Sequence, residues 1–436
     1  MSHIENSALA SGLLSLRTAC AQKCFKPLNR KMPLMYTHFE LRDPVLGTVK
    51  LDELTSNLIG SPAVQRLSFI RKLDLANLFY PTATHTYFGH ALGTMIAATS
   101  IAERLKLSSE DIDCLKAASI LSHSYVCPFQ KILEMIRQGI TGFRPHSLIE
   151  SAIVRPDVSK ILSKHGIDSD RIYSVILGKD KNEILNQILT GPLAASYLDS
   201  VIRDAYYLGL SGDTQLAHRI IENTQVIELG NHQWIAVTDG AIPDIQRLTI
   251  TRDQLFSKAY HNRRVLSARL MMRKMLEYLF AEGTLDISHL LTMSDEDLLI
   301  VLRENVQGKF KLLFKDLFAR NYYDLIFSGK ITSDILAEST EDLESEFEGR
   351  IADESGMDSL YIAIKISPFR VFEERNIPIV RREHVSDFGS VSQIVMEQER
   401  EELKSQRILC FASSRARGKV GMLRKAARGF FGAEKQ

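Results

Sequence analysis

The stretch that decides the fold is Phe79-Tyr80-Pro81-Thr82-Ala83-Thr84-His85-Thr86-Tyr87-Phe88-Gly89-His90-Ala91-Leu92-Gly93. A proline and two histidines lie in a loop, and the residues that follow predict a helix from Ala91 to Leu105. Ahead of it, Leu51 to Leu78 has apolar residues at helical spacing, with Ser61-Pro62 as an N-cap followed by an N1 proline. Behind it, Ser108-Ser109-Glu110-Asp111 opens another helix, because acidic residues favour the positive end of the helix dipole. That helix runs into Leu115-Lys116-Ala117-Ala118-Ser119-Ile120-Leu121, apolar nearly all round and therefore central.

The pattern is mainly helical from 41 to 330, with further helices expected from Arg252 to Phe280 and from Asp295 to Phe327. One β signal interrupts it. Val226 to Leu229, the Gly230-Asn231 turn and Gln233 to Val237 read as a hairpin. Five segments are expected: a basic arm over 1–40, a helical domain over 41–330, an acidic linker over 331–358, a small α+β unit over 359–400 and a basic amphipathic tail over 401–436. Leu360–Ile366 and Ile377–Val380 supply strands to the small unit.

The chain has 436 residues and a formal net charge of +1, from 54 basic and 53 acidic residues. That balance excludes a globally basic nucleic-acid binder, but it conceals segregation. The arm carries Arg17, Lys23, Lys26, Arg30 and Lys31 with no acid between Glu5 and Glu40. The segment from Asp334 to Asp358 is acidic, with Glu344 and Glu348 among its eight further carboxylates and Arg350 as its one cation. The tail carries Arg415, Arg417, Lys419, Arg424, Lys425 and Arg428, with Phe430 and Phe431 on its apolar stripe. Such a helix fits an anionic surface or a protein partner, or else it packs back on its own protein. Pairing of the acidic segment with the tail would account for the neutral sum. Five scattered cysteines read as reduced thiols. With no basic n-region ahead of Ala8–Leu14, no secretory signal is expected, and no run approaches about 18 apolar residues. A cytoplasmic location is therefore expected.

Together with Asp43-Pro44-Val45-Leu46-Gly47 and Gln65-Arg66-Leu67, the opening stretch resembles the HD-domain deoxynucleoside triphosphate triphosphohydrolases. The likeness extends over about residues 40 to 330 through Asp204, Leu208-Gly209, the hairpin, Arg252 and Ala259-Tyr260. It implies an HD-like helical core with an inserted hairpin, a homo-oligomer, and a metal held by a His, a His-Asp dipeptide and a later Asp. Imidazole and carboxylate ligands suit a divalent transition metal that polarises the phosphate ester and activates water.

Matched residue by residue, His90 fills the first ligand position, but Ser122 and His123 stand at the dipeptide and Ser196 at the final Asp. Val126 replaces an assisting His, Tyr87 a phosphate Arg and Tyr197 a phosphate Lys. His90 and His123 are a relict pair without a matched carboxylate; Asp199, one turn from Ser196, offers a substitute. The resemblance also implies nucleotide contacts for Gln65, Asp204, Arg252, Tyr260 and Arg263. The resulting expectation is a catalytically inactive HD-domain protein, regulatory or scaffolding and nucleotide-binding, with no cofactor. The alternative is an active metal-dependent nucleoside triphosphate phosphohydrolase with a rearranged divalent metal site.

Overall fold

The computed structural model describes residues 39–330, 340–367, 373–382, 384–405 and 407–431. The basic arm lies outside the described residues apart from Phe39 and Glu40. Three helices position the site: α1 (Tyr87–Arg104), α2 (Ser109–Leu121) and α3 (Ala195–Tyr207). As the sequence predicts, Glu110 and Asp111 occupy the first turn of α2; Ser108 caps it by accepting from the Asp111 N–H. α1 packs against both α2 and α3. Their alanine-rich contact faces, including Ala91, Ala98, Ala117, Ala118 and Ala205, are buried and allow close approach.

The expected long helix over Leu51–Leu78 is broken. A short hairpin, β1 (Phe39–Asp43) with β2 (Gly47–Leu51), ends where it was to begin. Helical turns Glu53–Ile59, Pro62–Gln65, Arg66–Phe69 and Asp74–Leu78 follow. Gly60-Ser61-Pro62 stops the first turn, and Asp74 has φ +50°, which no helix interior accommodates.

The predicted hairpin is β3 (Thr224–Leu229) and β4 (His232–Thr238), with Leu229 opposite His232. Its sheet extends through β7 (Pro378–Arg381), parallel to β4, to β8 (His384–Asp387). The Arg252–Phe280 helix is also divided. It comprises α4 (Ile242–Leu255), a π-helical turn over Phe256–Tyr260 and α5 (Arg263–Ala281). Asn262 interrupts it by capping the N–H groups of Arg264 and Val265.

The expected Asp295–Phe327 helix is divided into Asp295–Asn305 and Gly308–Phe318, and its last part is the strand β5 (Asp324–Lys330). β5 joins β6 (Ile362–Ser367) and β9 (Arg407–Ala412) in an antiparallel sheet of order β5-β9-β6. This unit therefore crosses the boundaries expected at 330 and 400. Two helices pack on the sheet: α6 (Thr340–Ser355) and α7 (Val420–Phe431).

α6 corrects the expected acidic linker in its described part. Glu344 and Glu348 are 0% and 3% exposed. Arg273 on α5 donates to both, Lys274 donates to Glu348, and Lys365 on β6 donates to Glu344. The backbone N–H groups of Ile364 and Ile366 complete their shells. Two members of a carboxylate run read as solvated are thus internal, because they meet buried cations. These glutamates pair with α5 and β6, where pairing with the tail had been expected.

Candidate functional site

α1 carries His90 in its first turns and presents Gly89 and Gly93 to α3. A Cβ on Gly93 would lie 1.7 Å from Asp199 Oδ1 and 2.8 Å from Arg203 Nη2. One on Gly89 would lie 3.3 Å from Arg203 Nη1. The groove admits an ion pair from α3. Arg203 Nε and Nη2 donate to Asp199 Oδ1 at 3.2 and 2.9 Å, and Nε also reaches Oδ2 at 3.0 Å. Its Nη1 donates to Asp43 Oδ2 at 2.7 Å. Asp199 Oδ2 in turn lies 2.7 Å from His90 Nδ1.

His123, just past α2, faces His90 edge-on at 4.6 Å between ring centroids. Its Nδ1 lies 3.1 Å from the Ser119 carbonyl oxygen, and Ser122 Oγ donates to the same carbonyl at 2.8 Å. Burial pushes both imidazoles toward neutrality: His90 well below its usual value, with Lys72 adding to the effect, and His123 to about 4. Burial raises the Asp199 carboxyl, with Arg203 opposing it. Against its own burial, the Arg203 guanidinium is held charged by Asp199 and Asp43.

This donor set does not fit a divalent catalytic metal. Such an ion needs carboxylate charge with free lone pairs. The one carboxylate beside the histidines already accepts from a guanidinium through both oxygens, and that guanidinium adds a fixed positive charge. Ser122 and Ser196 contribute neutral hydroxyls at best. Among the described residues, His, Cys, Asp and Glu form no group of three or more arranged to hold an ion.

A second cluster surrounds Asp204, next to Arg203 on α3. Lys72 Nζ donates to both its oxygens at 2.9 and 2.8 Å, His85 Nε2 lies 2.8 Å from Oδ1, and the Tyr260 hydroxyl donates to Oδ2. Despite complete burial, Lys72 and His85 hold the Asp204 carboxyl well below its usual range. Lys72 also donates to Ser200 Oγ. Gln65 is elsewhere, its Nε2 donating to the Ile59 carbonyl at 2.8 Å. Asp204 and Gln65, both expected at the nucleotide sugar, thus lie apart, and Asp204 is engaged by Lys72, His85 and Tyr260 of its own chain.

An open cleft of about 460 Å³ brings together Ser196, Tyr197, Ser200, Arg252 and Tyr260. Arg252 Nη1 donates to both oxygens of Glu374, at 2.8 and 2.7 Å, and the Tyr197 hydroxyl donates to the same carboxylate. Arg263 is exposed at the first position of α5. Lys72, Arg203 and Glu374 are the residues that sequence reasoning missed. For Arg203 a signal existed, since Asp199 and Arg203 are spaced i, i+4 on one helix face. For Glu374 there was none, because it arrives from beyond the helical domain.

The tail residues are partly engaged by their own chain. Arg415 pairs with Asp316 at 2.9 Å, Arg424 Nε donates to the Ile326 carbonyl, and Lys419 donates to those of Ser355 and Gly356. Phe431 is buried, and Phe430 lies under Arg350. Lys425 and Arg428 are exposed; the Arg417 side chain lies outside the described ones. The stripe Leu423, Ala427 and Phe431 therefore packs back on the sheet.

Residues 217–436 match the profile of the HD associated region, and the chain belongs to this HD-domain, deoxynucleoside triphosphate triphosphohydrolase-like family. An uncharacterized protein of Methanocaldococcus jannaschii is 27% identical over 85% of this chain and 78% of its own length. The human deoxynucleoside triphosphate triphosphohydrolase SAMHD1 is 23% identical over 51% of this chain, which spans only 42% of that protein. Among solved structures, a Bacteroides thetaiotaomicron phosphohydrolase shares the fold with a TM-score of 0.69 at 16% identity. That match covers 86% of this chain and all of the phosphohydrolase chain. No described helix is long and apolar enough to cross a membrane.

Proposed function

We propose that this is a non-hydrolytic HD-domain protein with a regulatory or scaffolding role, whose cleft binds the phosphates of a nucleotide. One observation carries the first half. The position that should hold a metal contains a buried His90–Asp199–Arg203–Asp43 chain. Without the metal there is no strong Lewis acid at the ester and no activated water. The cleft residues Arg252, Tyr197 and Tyr260 support the second half, together with relatives named as deoxynucleoside triphosphate triphosphohydrolases. Homo-oligomerisation, a cytoplasmic location and an anionic or protein partner for the exposed Lys425 belong to the same reading.

The test is turnover. The full chain is incubated with each deoxynucleoside triphosphate and with Mg, Mn, Fe, Co, Ni or Zn, and release of triphosphate and phosphate is followed. No release above the protein-free blank is expected. Release that requires metal and is lost in His90→Ala would establish the alternative, an active phosphohydrolase.

A further inference from the structure

Two positions that the family resemblance assigns to ligand phosphate, Arg252 and Tyr197, converge on one carboxylate of this same chain. Glu374 lies at the wall of an open cleft yet is only 2% exposed. Both its oxygens accept from Arg252 Nη1, and the guanidinium also sits over the rings of Phe256 and Tyr197, at 5.5 and 5.9 Å. The carboxylate thus receives a charged donor and a phenol, the kind of donors that an anionic phosphate oxygen takes.

The charge of the lining makes the point sharper. Arg252 is the one cation among the described residues that line the cleft, and Glu373 and Glu374 are its carboxylates. One positive and two negative charges leave the wall net negative, which opposes a polyphosphate. With Glu374 withdrawn, the described lining is neutral, with Arg252 and Glu373 as its charges.

We infer that Glu374 is an internal stand-in for a ligand phosphate. It holds Arg252 and Tyr197 in the absence of ligand, and a polyphosphate binds only by displacing it. This rests on the phosphate-binding reading of the cleft given above. The displacement has somewhere to go. Glu374 belongs to the turn Glu373–Asn376, which leads directly into β7, and β7 pairs in parallel with β4 of the hairpin. Ligand entry is therefore coupled to an inner strand of a four-stranded sheet.

Competition by an internal anion lowers apparent affinity by the fraction of molecules in which the site is open. The test is calorimetric binding of inorganic tripolyphosphate, of dATP and of deoxyadenosine to the full chain. The arms compare the native chain, Glu374→Gln, Glu374→Asp and Arg252→Gln/Glu374→Gln, each checked for folding by circular dichroism. Glu374→Gln is expected to bind tripolyphosphate about tenfold or more tighter than the native chain. The double variant is expected to lose that gain. Glu374→Asp, which keeps the charge and only shortens the side chain, is expected to lie between and serves if the Gln variant does not fold. Tighter dATP than tripolyphosphate binding, with weak deoxyadenosine, identifies a nucleotide; equal binding of the two anions identifies free polyphosphate as ligand. Equal affinity in the native chain and the Glu374 variants overturns the inference, as does failure of every variant to bind. Turnover or bound metal in the native chain would instead refute the non-hydrolytic reading, and this series does not measure either.

Discussion

Arg203 follows Asp199 by one turn of α3 and grips its carboxylate through Nε and Nη2, in the place where the family resemblance calls for a metal beside His90. A guanidinium and a divalent ion are alternative counter-charges for one buried carboxylate, and here the guanidinium is built in. On the proposed reading the guanidinium takes the place of the ion as counter-charge to Asp199, and the pocket should keep its structure without metal.

The fit of the pair depends on Gly93. Gly93→Ala would drive a methyl into Asp199 Oδ1, and the obstacle is a buried, ion-paired group that cannot swing away. We expect a loss of about 3 kcal/mol or more, as for severe overpacking or for displacing a buried ion pair. Urea unfolding of the variant measures it. A loss under about 1 kcal/mol would mean that α1 and α3 separate easily.

Removing one charge should be far worse than removing both. Arg203→Met leaves Asp199 and Asp43 buried or half-buried without their cation, and about 3–5 kcal/mol is expected for a broken buried pair. Arg203→Met with Asp199→Asn should recover part of that loss. A double-mutant cycle reads the coupling. Simple additivity of the two losses would show that the pair is not the unit described.

Much of this was legible in the sequence, and the failures have physical causes. The hairpin, the opening of α2 at Ser108–Asp111 and its central course follow from local patterns, and all three are present. That Ser122 and Ser196 stand at the matched ligand positions is itself a reading of the sequence. What replaced the site was not readable. Lys72 meets Asp204 across 132 residues and Arg252 meets Glu374 across 122. Composition cannot tell a buried carboxylate from a solvated one until the opposing cation is located, and Glu344 and Glu348 show the cost of assuming water.

Arg273 gives a test of that lesson. It is buried and joins Glu344 and Glu348 of α6 to the helical body. Arg273→Met should destabilise the chain by about 3–5 kcal/mol, since two buried carboxylates lose a shared cation. Hydrogen exchange should show Thr340–Ser355 and β6 deprotected first. Unchanged protection of those elements would contradict the clamp.

A pH effect is expected at Asp74. Its carboxylate is wholly buried, both oxygens lack a hydrogen-bond donor, and the Arg269 Nε lies 3.5 Å away. Burial pushes its pKa up to about 7, with Arg269 only partly opposing. The folded value lies above the ordinary 3.8, so the folded state holds the proton more tightly than the unfolded chain. Stability from this group is therefore intact below about pH 4, falls as pH rises through the window up to about 7, and stays lost above it. Asp74→Asn removes the charge and tolerates the positive φ of this position. It should stabilise the chain by roughly 2–4 kcal/mol at pH 8 and little at pH 4. Unfolding curves at the two pH values decide; an equal effect at both would exclude a buried charge as the cause.

The central claim is that a built-in ion pair has replaced the catalytic metal. The measurement that tests it most directly is elemental analysis by inductively coupled plasma mass spectrometry. It is applied to the full chain, purified without chelator, before and after incubation with Fe, Mn, Co, Ni and Zn. The account predicts far less than one equivalent of each metal per chain, with no difference between the native protein and His90→Ala. A stoichiometric metal that disappears in His90→Ala would contradict it.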